Sequence, residues 1–100
     1  MVRHVVMWTL KDEAEGVSAW ENAGVMKKML EALRGRIPGL LHIEVSREIV
    51  AADPECHVVL CSEHVDREAL DAYQVHPEHR KCVAFVRKVA SGRKAVDYEI

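Results

Sequence analysis

The stretch Tyr-Gln-Val-His-Pro-Glu-His, from Tyr73 to His79, sets one phenol and two imidazoles close together. A histidine that stays neutral near pH 7 is a base able to take a proton from carbon next to a carbonyl. A buried tyrosine hydroxyl beside it can donate a hydrogen bond to the oxygen on which charge then gathers. Tyr73 and His79 are therefore the candidate catalytic pair. His79 falls near the third position of a helix, where the positive end of the helix dipole disfavours the imidazolium. Glu78 beside it pushes the other way. The same spacing fits a plainer reading, in which His79 caps and Tyr73 packs.

Two more histidines sit inside apolar runs. His4 shares a strand face with Val6 and Trp8, and His57 shares one with Val59 and Cys61. If the two strands are neighbours, these histidines approach each other on one side of a sheet. With Val6, Trp8, Val59 and Val86 they form the expected ligand-binding wall. A buried histidine also needs a partner for any ring nitrogen that carries a proton, so both fit a purely structural role as well. His42, at a polar strand position, and His64, in an expected loop, read as surface residues. No metal is expected, because the proline between His76 and His79 spoils a shared helical face and zinc needs three or four converging ligands. No Gly-rich phosphate loop, nucleophile elbow or dinucleotide fingerprint is present, so no cofactor is expected.

The elements that must hold these side chains follow from periodicity. Residues 2–10 are dense in β-branched side chains and apolar on both faces, as a strand covered on both sides would be. Ser18-Ala-Trp-Glu21 is a capping-box pattern. It opens a helix with Ala19, Ala23, Met26, Leu30 and Leu33 along one stripe. Gly35 is its expected end, and Ile37-Pro-Gly39 turns the chain. Residues 40–50 alternate like a half-exposed strand, and residues 56–63 form another strand with two apolar faces. Asp66 caps a short helix over 67–75. Pro77 disfavours the α conformation at His76, ends that helix, and suits the first position of the next, which runs to about Ala90. Residues 94–100 make the last strand. The order β-α-β-β-α-α-β indicates one domain over residues 1–100, a ferredoxin-like α+β sandwich with a four-stranded antiparallel sheet.

One layer of helices covers only one face of that sheet. Val5, Met7, Val58 and Leu60 are expected to form an apolar patch on the other. A second copy of the chain laying its sheet on this one would bury the patch, so a two-fold homodimer is expected.

Bulk composition agrees with a globular chain and excludes several partners. Hydrophobic residues are 49% and charged residues 30% of 100, which argues against disorder. The net charge is −2, from 14 basic and 16 acidic residues, so no broad basic face for nucleic acid or an anionic membrane is expected. A local cluster of Arg80, Lys81, Arg87, Lys88, Arg93 and Lys94 reads as a solvated helix face. The apolar start is too short for a signal peptide, and no run reaches the roughly 20 apolar residues of a membrane span. Three cysteines, none in a Cys-x-x-Cys, fit a reducing cytoplasm rather than a disulfide framework.

Four stretches together resemble the stress-responsive α/β-barrel (Dabb) family: RHVVMWTLKDE, RIPGLLHIEVSREI, AYQVHPEHRK and the closing VDYE. The resemblance spans nearly the whole chain in order. It implies a ferredoxin-like fold and a dimer whose two sheets form a shared barrel. Plant polyketide cyclases are similar in architecture and close a ring by aldol chemistry without cofactor or metal. Their working tyrosine and histidine match Tyr73 and His79, and their strand histidines match His4 and His57. The first helix departs from them, offering Trp20, Ala23, Gly24 and Met26 in place of pocket aromatics, which implies a cavity of different shape. The expected function is a homodimer binding a small, partly apolar ligand between sheet and helices. The rival expectations are a cofactor-independent cyclase and a structural stress protein with no pocket.

Overall fold

A four-stranded antiparallel sheet carries all three helices on one face in the computed structural model, which describes residues 1–100. The chain runs β1 (Val2–Leu10), β2 (Glu13–Ala14), β3 (Val17–Ser18), α1 (Ala19–Glu31), β4 (Leu40–Ser46), β5 (Val58–His64), α2 (Arg67–Val75), α3 (Pro77–Val89) and β6 (Ala90–Glu99). The sheet order is β4-β5-β1-β6. This is the ferredoxin-like arrangement, with β2 and β3 added as a small hairpin. Glu15 and Gly16 turn that hairpin, both with positive φ, as a two-residue turn with right-handed twist requires.

Alternation decides which side chains point at the helices. On β1 the buried set is Val2, His4, Val6, Trp8 and Leu10. On β5 it is Val58, Leu60, Ser62 and His64. Register confirms the shared face, since His4 pairs with Ser62, Val6 with Leu60 and Trp8 with Val58. The expected composition of the outer face is corrected accordingly. Val58 and Leu60 lie in the core, and the outer apolar band is Val5, Met7, Val59, Cys61 and Val96. The error was one of parity, which a run apolar on both faces does not reveal.

Each helix starts where its cap dictates. The Ser18 hydroxyl accepts from the Glu21 amide, and the Asp66 carboxylate accepts from the Ala69 amide. His76 is extended, and its Nδ1 accepts from the Glu78 amide, so it closes α2 and caps α3 with Pro77 at the first turn. α3 ends at Val89 and β6 begins at Ala90, earlier than expected and with no loop between them.

Two close contacts fix the helical layer on the sheet. Gly39 has φ +84, and a Cβ there would sit 2.6 Å from the Ala69 Cβ, so the Ile-Pro-Gly turn lets α2 approach. Along β4, the Val45 amide donates to the Glu31 carboxylate at 2.9 Å and its carbonyl accepts from Lys27 at 2.7 Å. Arg34 donates to the Ile43 carbonyl. These side chains, from α1 and the turn that follows it, occupy hydrogen-bonding groups along the edge strand β4 and so block strand addition there. No helix is long and apolar enough to cross a membrane.

Candidate functional site

Between the helices and the sheet, four aromatic side chains meet: His4 from β1, His64 from β5, Tyr73 from α2 and His79 from α3. Ring centroids are 4.3 Å apart for Tyr73 and His79, 4.8 Å for His64 and Tyr73, and 6.3 Å for His4 and Tyr73. The Pro77 break is what brings Tyr73 and His79 together, because it lets two short helices each aim a side chain inward.

Hydrogen bonds assign the histidine protons. His79 Nδ1 lies 3.2 Å from the Gln74 carbonyl, which can only accept, so Nδ1 carries the proton and Nε2 is left with its lone pair. Burial holds His79 below the usual histidine range, and the nearby charge of Arg93 adds to this. The neutral imidazole is therefore favoured at His79, with Nε2 free to accept a hydrogen bond. His4 Nδ1 is bonded to the Asp97 carboxylate, its partner in the β1–β6 register. His64 Nε2 meets the Ser62 hydroxyl at 2.9 Å, and burial pushes its pKa down to about 4. Burial also raises Tyr73 well above the ordinary tyrosine value, so it stays a neutral phenol.

Three buried polar atoms here have no partner: Tyr73 Oη, His64 Nδ1 and Trp8 Nε1. An unmet buried group costs about 1–3 kcal/mol, and two of the three, on Tyr73 and His64, belong to rings packed against each other, which marks that spot as not built for stability alone.

Beside the cluster lies a cavity of about 380 Å³. Its apolar walls are Trp8, Leu30, Leu60, Val83 and Val86, and its polar groups are Gln74, His79, Arg87 and Arg93. His79 thus stands on the cavity wall, while Tyr73 has no exposed surface and lies one ring deeper. A larger hollow of about 530 Å³ lies against the loop over residues 51–56, but no histidine or tyrosine lines it.

The expected site residues divide sharply. His4, Val6, Trp8, Tyr73, His79 and Val86 come together around the inner face. His57 and Val59 do not. His57 sits at the far end of the sheet, just before β5, and both of its nitrogens are committed: Nδ1 accepts from the Leu10 amide at 2.9 Å and Nε2 meets the Glu55 carboxylate at 3.0 Å. Val59 faces outward with Met7. The histidine that does approach His4 is His64, with ring centroids 6.4 Å apart. It is fully buried, not a surface residue, because β5 runs on through residue 64. His57 and His64 are seven positions apart, so they point to opposite faces of one strand. His64 shares parity with Val58 and Leu60, so the register that turns those two inward turns His64 inward with them. Asp97, Gln74, Leu30, Val83 and the two arginines were missed, and only the β1–β6 register and helix packing bring them in. His42 is partly exposed beside Glu44, as expected. No three His, Cys, Asp or Glu side chains converge as a metal would require.

A ferredoxin-like sheet with histidines on its inner face and a tyrosine–histidine pair packed down from two helices defines a class of small α+β barrel proteins. The chain belongs to the stress-responsive A/B barrel domain family, whose model matches residues 2–100. A dimeric ferredoxin-like protein of unknown function from Bacteroides fragilis is 26% identical, with a TM-score of 0.86 over 99% of this chain and 95% of that one. A Dabb family protein from Mesorhizobium loti is 28% identical, with a TM-score of 0.70 over 99% and 95%. A cofactor-independent oxygenase from Streptomyces nogalater is 17% identical, with a TM-score of 0.72 over 99% and 91%, a likeness that shows the fold alone. A comparison with curated proteins finds no match.

Proposed function

We propose that this chain works as a homodimer that binds a small, partly apolar ligand in the cavity between its sheet and its helices. The observation that carries the reading is the cavity itself, with apolar walls on four elements and a neutral His79 on its surface. Its volume suits a ligand of one or two rings. The test is extraction of the purified protein followed by mass spectrometry, alongside Val86→Trp, which fills the cavity. A small molecule recovered from the wild type and lost from the variant supports the reading. Equal recovery from both refutes it.

The dimer is proposed to form through the outer sheet face. Two solved relatives are described as dimeric. Here that face carries Met7 at 41% and Val96 at 54% exposure, framed by the Arg3–Glu63 ion pair of 2.7 Å. The edge of β4 is already occupied by α1 while β6 forms the sheet's other edge, and the exposed apolar side chains of the outer face are what favour that face over the β6 edge. Three free cysteines fit a cytoplasmic protein.

A second reading, a cofactor-independent enzyme, draws on the lone pair at His79 Nε2 and the unpaired Tyr73 hydroxyl. His79 would take a proton next to a substrate carbonyl, and Tyr73, which lies behind it and off the cavity wall, would bond the resulting oxyanion once its hydroxyl moved to the cavity surface. His4, held by Asp97, would position the substrate. His57 has no part in it. Turnover of poly-β-keto thioesters by the wild type, lost in His79→Ala, tests this reading. Absence of turnover across such a panel argues for a binder.

A further inference from the structure

The cavity differs from the rest of the molecule in charge. The whole chain carries a net −2, yet the cavity is lined by two arginines and by no aspartate or glutamate. Arg87 projects from α3 and Arg93 from β6, both exposed, so they flank the side of the cavity open to solvent. Neither forms an ion pair or a side-chain hydrogen bond within the chain. Arg3, Arg34 and Arg47 have partners within the chain, whereas Arg36, Arg67 and Arg80 share the unpaired state of Arg87 and Arg93, so what sets these two apart is their place on the cavity wall. Trp8, also on the wall, has a buried indole N–H with no acceptor. The unmet groups around this space are thus mostly donors, and the demand is for an acceptor.

From this we infer that the ligand is a small monocarboxylate with an apolar body, held by its anionic end between Arg87 and Arg93. The body lies against Leu30, Leu60, Val83 and Val86. Guanidinium groups suit a carboxylate because their planar forks give paired, charge-assisted hydrogen bonds. Anchoring at the rim fixes the direction of the ligand, with its charged end at the solvent side and its apolar end toward the Tyr73–His79 cluster. The inference rests on the cavity being a ligand site, and it adds the chemical class of that ligand.

A matched pair of probes separates the two ideas. 2-Naphthoate carries the charge; 2-naphthamide has the same body without it. Binding is read from Trp8 fluorescence in a Trp20→Phe background, since Trp20 is exposed away from the cavity. The acid is expected to bind about tenfold more tightly than the amide, the effect of a charge-assisted pair at a partly exposed rim. In Arg87→Gln/Arg93→Gln the difference should shrink to about threefold or less, with amide affinity unchanged. Salt raised from about 0.05 to about 0.5 M should weaken the acid and spare the amide. Acid and amide binding equally to the wild type would overturn the carboxylate assignment and leave the cavity reading standing. A preference that survives in the double variant would overturn the assignment to these arginines. Failure of both probes to bind at millimolar concentration would overturn the cavity reading as well.

Discussion

Tyr73→Phe should stabilise the free protein. In most cores, deleting a tyrosine hydroxyl removes a hydrogen bond and lowers stability. Here Tyr73 has no exposed surface and its hydroxyl has no partner. An unmet buried hydroxyl costs about 1–3 kcal/mol, and the phenylalanine variant escapes that penalty. It loses only the dispersion contacts of one oxygen, about 0.1–0.2 kcal/mol each. The net gain is about 1 kcal/mol, which for a chain of this size is a Tm rise of roughly 4–8 °C. The assay is thermal unfolding followed by circular dichroism, at one fixed protein concentration because association shifts Tm by mass action. If the reasoning is right, the same variant binds ligand or turns over substrate less well, a trade of function for stability. A loss of about 1 kcal/mol or more in the free protein would refute the reasoning, because it would mean that the hydroxyl is satisfied in the folded state.

Three other outcomes follow from the same structure. His64 has its folded pKa pushed down to about 4 from 6.5, so below pH 6.5 the unfolded chain takes up a proton that the fold refuses. Stability should be flat in this term above pH 6.5 and fall as pH drops toward 4, by up to about 1.4 kcal/mol per pH unit, and His64→Gln should flatten the slope measured by urea unfolding. Depression of the His79 pKa acts in the same direction. Gly39→Ala should destabilise by about 1–3 kcal/mol, since it forces a positive φ on alanine. It would also drive a methyl into Ala69, and its urea midpoint should fall accordingly. Val96→Asp, on the outer face, should yield monomers by sedimentation at micromolar concentration with circular dichroism unchanged, while an intact dimer would move the interface elsewhere.

The fold was legible because each boundary has a local cause. Ser18, Asp66 and Pro77 open helices by chemistry that a short window of sequence contains. The pair Tyr73 and His79 was legible for the same reason, since Pro77 separates two helices whose inner faces can be counted from it. Strand parity was not. Val58, Val59, Leu60 and Cys61 are apolar without alternation, so nothing in that run says which face is inward. His57 was consequently drawn into the site and His64 left outside it. The partners that settle the matter, Leu10 and Glu55 for His57 and Ser62 for His64, depend on register across the sheet. Asp97 and Arg93 depend on it too, through β6. The cavity is also a tertiary fact, made by all three helices and three strands, and no window of sequence encloses it.

The junction of α3 and β6 has a consequence for how such a protein diversifies. Proteins usually acquire new ligands through their loops, where insertions are tolerated. The two arginines of this opening stand on a helix and a strand that meet at Val89 and Ala90 with nothing between them. The β1–β6 ladder has its one irregularity at that corner, between Thr9 and Leu10, and beyond it the register that sets Asp97 opposite His4 runs unbroken. Exchange of the two arginine side chains is thus the direct way for such an opening to change what it holds, on a helix and a strand that keep their places.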